Sequence, residues 1–203
     1  MEKYTTLYDV LIIGAGPSGS NAAISYKNLN PDLKVGLIDK SIFPRDKSCG
    51  DAIGPGVISA LKRFNNQHIL DNEPQVVSTT LYGPENIGIQ NYIPEVKNKE
   101  DSIVYVIPRI DLDNRILNLA KDLDVDVFEG YSFVSFEKDS DNKLVVEIKN
   151  GDNITKLGAK ILVGADGANS RVRKQLNVNT NSDWHKAIAC LLYTSDAADD
   201  LWC

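Results

Sequence analysis

Residues 9–39 read DVLIIGAGPSGSNAAISYKNLNPDLKVGLID. Asp9-Val10-Leu11-Ile12-Ile13 closes in an unbroken apolar run, the pattern of a strand buried on both faces. Gly14-Ala15-Gly16-Pro17-Ser18-Gly19 follows at once and forms a G-x-G-x-x-G turn. Helical spacing comes next, with Ala22, Ala23, Tyr26 and Leu29 expected on one face, until Asn30-Pro31-Asp32 breaks it. Residues 34–38 predict a second short strand, and Asp39 stands at its end, twenty residues beyond Gly19. Strand, glycine turn, helix, strand and acid in this order can hold the adenosine end of a dinucleotide. Gly14 permits the tight turn, Gly16 lets the backbone approach a pyrophosphate, and Gly19 lets helix and strands pack closely. The helix start offers N–H groups and partial positive charge to the phosphates, and Asp39 can accept hydrogen bonds from ribose hydroxyls. Ala15, Pro17, Ser18 and the neighbouring Lys40 complete this candidate binding set.

The chain has 203 residues, room for one large domain or two small ones. Its 42% hydrophobic and 25% charged content is ordinary for a globular protein, and a net charge of −6 argues against nucleic acid as a partner. The polar residues before Val10 do not read as a signal peptide, and no stretch approaches a membrane span. Cys49, Cys190 and Cys203 have neither metal nor disulfide spacing, which fits a reducing cytoplasm, and no metal site is expected. His68 and His185 are isolated and read as surface residues. No paired carboxylates and no Ser/His/Asp constellation suggest hydrolytic chemistry.

After Asp39 no further βαβ unit begins. Lys40-Ser41-Ile42-Phe43-Pro44-Arg45-Asp46-Lys47-Ser48-Cys49-Gly50-Asp51-Ala52-Ile53-Gly54-Pro55-Gly56 reads as a loop, followed by a short helix over 56–64 with Val57, Leu61 and Phe64 at helical spacing. Arg45 and Lys47 put cations just behind the ribose-binding acid. The glycine turn followed by F-P-R-D-K-S-C-G-D resembles the FAD-dependent geranylgeranyl reductase family, within the wider hydroxylase-like flavoprotein superfamily. The resemblance implies that Arg45 contacts FAD and that Cys49-Gly50 lies near the isoalloxazine ring. Cys49 is the candidate catalytic residue, because the matching cysteine of some relatives takes part in reduction. A passive role for it in the pocket wall stays open.

Strands are expected over 75–81, 87–93 and 102–107, with a polar hairpin loop at 95–101; in the resembled fold they start the sheet that binds substrate. Leu112, Ile116, Leu119, Ala120 and Leu123 then mark a strong helix. Arg109 and Asp111 approximate the family's R-x-x-x-D entry to that helix, which implies that Arg109 reaches FAD. Short strands over 124–128, 131–137, 144–149 and 154–157 predict a β-meander hung on the nucleotide domain. Residues 159–163 predict another buried parallel strand, ending in Gly164-Ala165-Asp166-Gly167-Ala168-Asn169-Ser170-Arg171-Val172-Arg173. Here Asp166 can hydrogen-bond cofactor hydroxyls and Gly167 permits backbone contact. The stretch matches the superfamily's second FAD signature, about 150 residues beyond the first. Arg171 and Arg173 read as structural or solvent-facing.

Residues 190–203, CLLYTSDAADDLWC, differ in composition from the chain before them. Their first ten residues back-translate to TGT CTC TTA TAC ACA TCT GAC GCT GCC GAC, which looks like a transposase sequencing adapter. The expectation is an artefactual tail joined to a natural chain cut near Ala189. Without it, 22 basic and 25 acidic residues give a net charge of −3.

The expected fold class is α/β: a Rossmann-like FAD-binding domain with an inserted, incomplete antiparallel-sheet substrate region. Residues 1–72 would form the FAD-binding βαβ unit and flavin loop, 73–108 the start of the substrate sheet, 109–189 the continued FAD-binding domain, and 190–203 the tail. The resemblance implies an FAD-dependent oxidoreductase that reduces C=C bonds of an isoprenoid chain. An aromatic monooxygenase or halogenase of the same superfamily is the alternative. The implied partner is a hydrophobic small molecule or lipid, with peripheral membrane contact as a corollary for a cytoplasmic protein. NAD(P)H and ferredoxin both stay open as electron donor.

Overall fold

The computed structural model describes residues 3–76, 78–82, 87–92 and 104–178. Strand β1 (Leu7–Ile13) lies at its centre and separates two hydrophobic cores. Because successive side chains of a strand point to opposite faces, Val10 and Ile12 enter one core while Leu11 and Ile13 enter the other, which Tyr8 at the start of the strand also joins, out of step with the alternation. The first core receives Ala23 and Ile24 of helix α1 (Pro17–Leu29) and Ile116, Leu117 and Ala120 of helix α3 (Arg109–Asp122). The second receives Phe133, Ile148, Leu157 and Val172. The apolar run 10–13 is thus buried on both faces, as expected.

Strand β2 (Val35–Asp39) pairs parallel with β1 and with β7 (Asp126–Glu129). On the other side β1 pairs parallel with β10 (Asn153–Gly164), from Leu7 opposite Gly158 to Ile13 opposite Gly164. The antiparallel strands β9 (Leu144–Asn150) and β8 (Ser132–Lys138) complete one six-stranded sheet in the order β7-β2-β1-β10-β9-β8. This is the expected α/β class. The meander does not hang beside the nucleotide sheet; it continues it.

That continuity corrects one boundary. The stretches 154–157 and 159–163 form a single strand of 12 residues. Gly158 marks a crossing, not an end: its N–H donates to the Thr6 carbonyl at 2.7 Å, and a Cβ there would lie 2.8 Å from the Tyr4 ring. The strand changes partner here, since β9 pairs with it only as far as Ala159. Beyond that point Lys160 is exposed and ion-paired to Asp9 at 2.6 Å, and Ile161 is half exposed, so this segment is parallel as expected but not fully buried.

The buried face of α1 is also rotated from the expected one. Ser20, Ala23, Ile24 and Lys27 form it, Ala22 and Tyr26 pack at its margin, and Leu29 is exposed. Lys27 is buried because its ammonium donates to the carbonyls of Pro31 (2.7 Å) and Leu33 (3.2 Å), tying the turn that leads to β2. In α3, Leu117 takes the deep position in place of the partly buried Leu119. Asp51 accepts from the Arg109 N–H at 3.2 Å and so satisfies one free donor at the start of that helix.

Residues 52–108 contribute smaller pieces. Strands β3 (Ala52–Ile53) and β6 (Tyr105–Val106) pair, as do β4 (Ser78–Tyr82) and β5 (Gly88–Tyr92), and helix α2 covers Pro55–Lys62. His68 is exposed, as expected. The expected loop at 95–101, His185, Cys190, Cys203 and the tail at 190–203 lie outside the described residues. No helix among the described residues is long and apolar enough to cross a membrane.

Among the described glycines the tightest position is Gly19, where a Cβ would fall 1.7 Å from the Gly14 carbonyl oxygen. G19A is expected to push α1 off the sheet and cost about 2 kcal/mol, read as a lower chemical-denaturation midpoint. An unchanged midpoint would contradict this packing.

Candidate cofactor cleft

The ends of β1, β2 and β10 open onto one cleft of about 770 Å³. Gly14 leaves β1 at φ +103°, in the region that favours glycine, and a Cβ there would lie 2.4 Å from the Ala165 carbonyl oxygen. Its N–H donates to Ile38, and the Ala165 N–H donates to Ile13, both at 2.7 Å. The two glycine-bearing turns, far apart in sequence, are therefore locked against each other. Gly16 caps the start of α1 and Pro17 opens it, so the first turn of the helix borders the cleft.

Each acid of the two motifs has a local structural task. Asp39 accepts from the Ala15 N–H and the Ser41 N–H, each at 2.8 Å, and so ties the glycine turn to the end of β2. Asp166 accepts from the Ser170 hydroxyl at 2.5 Å and the Arg171 N–H at 2.6 Å, which holds the start of the short helix α4 (Arg171–Gln175). A carboxylate oxygen has more than one acceptor site, so both acids retain capacity for cofactor hydroxyls. Gly167 follows at φ +82°.

The loop after β2 crosses the cleft and is pinned by Glu129. Glu129 accepts from the Phe43 N–H at 2.7 Å and pairs with Lys121 at 2.9 Å. Burial pushes this carboxyl up, but the hydrogen bonds from Lys121 and Phe43, with the charge of Lys121, outweigh it and hold it below the usual glutamate range. Beyond the pin, the Arg45 guanidinium lies 4.9 Å from the Phe43 ring centre. Its Nη2 would be 3.4 Å from a Cβ at Gly16, so Arg45 stands directly over the glycine turn.

Behind Arg45 is a residue the sequence reading passed over. Asp113, 1% exposed, accepts from Arg109 Nε at 2.6 Å and Nη2 at 2.8 Å. The R-x-x-x-D pair is therefore Arg109 with Asp113, one helical turn apart, and Asp111 is exposed. Donating to the Asp113 carboxylate drives the Arg109 guanidinium well above its ordinary value against the opposing effect of burial, and the nearby Cys49 adds to the shift.

Of the expected residues, Gly14, Gly16, Pro17, Ser18, Asp39, Lys40, Arg45, Arg109, Asp166 and Gly167 line the cleft. Ala15 and Gly19 are buried beneath it. Cys49 and Gly50 are not among its lining residues, though Ser48 is, and Cys49 meets the site through Arg109. Tyr131, Ser132, Phe133 and Arg171 join the lining; Arg171 also donates to the Phe133 carbonyl at 3.2 Å. Nothing in their sequence context marked the first three, which arrive because β8 runs beside the cleft.

The lining holds five cationic side chains against three acidic ones, in a chain whose net charge is −6. Arg45 Nη1 is buried without a hydrogen-bond acceptor. A glycine cradle, the start of a helix and a cleft-lining guanidinium that faces Gly16 fit a pyrophosphate. No group of acidic, histidine and cysteine side chains among the described residues could hold a metal.

The sequence matches the FAD binding domain family over residues 7–195, and the chain belongs to that family; FAD is its cofactor. It is 30% identical over 182 residues to the menaquinone reductase of Mycolicibacterium smegmatis, covering 89% of this chain and 42% of that protein. It is 30% identical over 172 residues to the geranylgeranyl diphosphate reductase of Rhodobacter capsulatus, covering 83% of this chain and 40% of that protein. The crystal structure of a geranylgeranyl bacteriochlorophyll reductase-like protein from Thermoplasma acidophilum superposes with a TM-score of 0.67 at 26% identity, covering 80% of this chain and 40% of that one. The chain thus spans about two fifths of the length of these relatives.

The Glu129 pin predicts an acid-sensitive loop. A depressed folded-state value stabilises above the ordinary glutamate value of about 4.3, and that contribution is lost as pH falls through the folded value. The stability gap between wild type and E129Q is expected to be largest near pH 7 and to shrink below about pH 4.3. Denaturation curves across pH check it; a gap that widens in acid would contradict it.

Proposed function

We propose that the protein reduces C=C bonds of an isoprenoid chain, with FAD as its redox cofactor. The observation that supports this reading is that Cys49 lies within electrostatic reach of Arg109, a cation that lines the cofactor cleft. Saturating an isolated C=C bond takes a hydride equivalent and a proton. Reduced FAD supplies the hydride equivalent. This chain's part is to hold the cofactor, exclude water and pass a proton to the substrate, with the Cys49 sulfur as the candidate donor. Arg45, Lys40, Asp39, Asp166 and the turns at Gly14–Gly16 and Gly167 would bind and orient the cofactor.

The names of the two relatives, a geranylgeranyl diphosphate reductase and a menaquinone reductase, support a hydrophobic substrate. The division into cofactor regions (1–72 and 109–189) and the start of a substrate sheet (73–108) belongs to the same reading. Hairpin β4–β5 supports it, since Ile87 and Ile89 beside and within it are about two thirds exposed, as suits a surface that meets an apolar ligand. A lipid substrate would bring the protein to a membrane surface.

The test uses an intact copy of the gene. The purified flavoprotein is reduced anaerobically and offered a geranylgeranyl lipid, a menaquinone or an aromatic acceptor. Reoxidation by the geranylgeranyl lipid with saturation of its double bonds is the expected result. Reoxidation by the quinone alone, or hydroxylation of the aromatic compound on admitting O₂, would overturn it. C49S is expected to lower turnover by about 100-fold while leaving FAD affinity within about twofold. Unchanged turnover would assign Cys49 to the wall of the site only.

A further inference from the structure

We propose that Asp113 is the positioning residue of the cofactor cleft, fixing Arg45 over the glycine turn as its phosphate-binding cation. The inference rests on FAD binding by the cleft and is independent of the substrate. A carboxylate 1% exposed in a helix face otherwise made of Leu112, Ile116, Leu117 and Ala120 is costly unless cations meet it. Two do. Arg109 takes both carboxylate oxygens in a fork, at 2.6 and 2.8 Å. Arg45 Nη1 lies 3.1 Å from Oδ2, near enough for an ion pair but out of line for a hydrogen bond, which leaves that buried nitrogen without an acceptor.

One carboxylate thus serves two guanidinium groups, and one positive charge remains uncompensated. The geometry places that charge on Arg45. The Phe43 ring supports its guanidinium, Asp113 holds one end, and the other end, Nη2, faces Gly16. Asp113 itself does not line the cleft, so it acts on a phosphate through the arginines it holds, and of these Arg45 is the one that faces Gly16 of the glycine turn.

Calorimetric titration of the cofactor-stripped protein with FAD, ADP and adenosine tests this. D113N is expected to weaken FAD and ADP by about tenfold or more and to leave adenosine, which has no phosphate, within about twofold. D113E, which keeps the charge, is expected to fall between wild type and D113N. Because both act on one cation, D113N/R45M is expected to bind ADP no more weakly than R45M alone. Unchanged ADP affinity, an equal loss for adenosine, or multiplied effects in the double variant would overturn the assignment. If D113N does not fold, D113E with R45M runs the same cycle: an ADP loss of about threefold that vanishes in the R45M background is expected, and one that persists there overturns it.

Discussion

Three backbone segments meet at one point with no room for side chains. A Cβ on Gly19 would strike the Gly14 carbonyl, and a Cβ on Gly14 would strike that of Ala165. The first contact brings the start of α1 down onto the end of β1. The second brings the Asp166–Gly167 loop against the glycine turn. Everything that defines the cleft follows from this crossing: the parallel ends of β1, β2 and β10, the helix start that borders it, and the acids at 39 and 166 on opposite sides. The cost is conformational, since Gly14 must hold a positive φ.

Around that crossing, acids organise donors. Asp39 holds the N–H of Ala15, Asp166 holds those of α4, Glu129 holds the backbone of the loop after β2 at Phe43, and Asp113 holds two arginines. An acidic protein thereby builds a cleft with an excess of cations, because its carboxylates are engaged from behind while Arg45, Lys40, Lys47 and Arg171 remain on the lining. Such an arrangement suits a ligand with a dianionic centre, whose charge replaces the missing counter-charge of Arg45.

The cofactor region was legible because its motifs are backbone requirements. Gly14, Gly19 and Gly167 stand where turns and close approaches need them, and the apolar run of β1 marks burial on both faces. Three features resisted reading. Asp113 was hidden because a carboxylate one turn after Arg109 looks like a surface ion pair until the helix is known to bury that face. Leu29 and Leu119 fit helical stripes, yet helix rotation is set by packing small residues such as Ser20 and Ala23 against the sheet, which periodicity does not specify. Gly158 looked like a strand end because glycine weakens strands, whereas here it admits the Tyr4 ring.

The central claim is that two sequence-distant turns and the Arg45 loop form one FAD cleft. Amide hydrogen exchange with and without FAD tests it most directly. The account predicts added protection together at residues 15–19, 41–45 and 166–172, with none at hairpin β4–β5. Protection at only one of the two turns, or centred on the surface near His68, would contradict it.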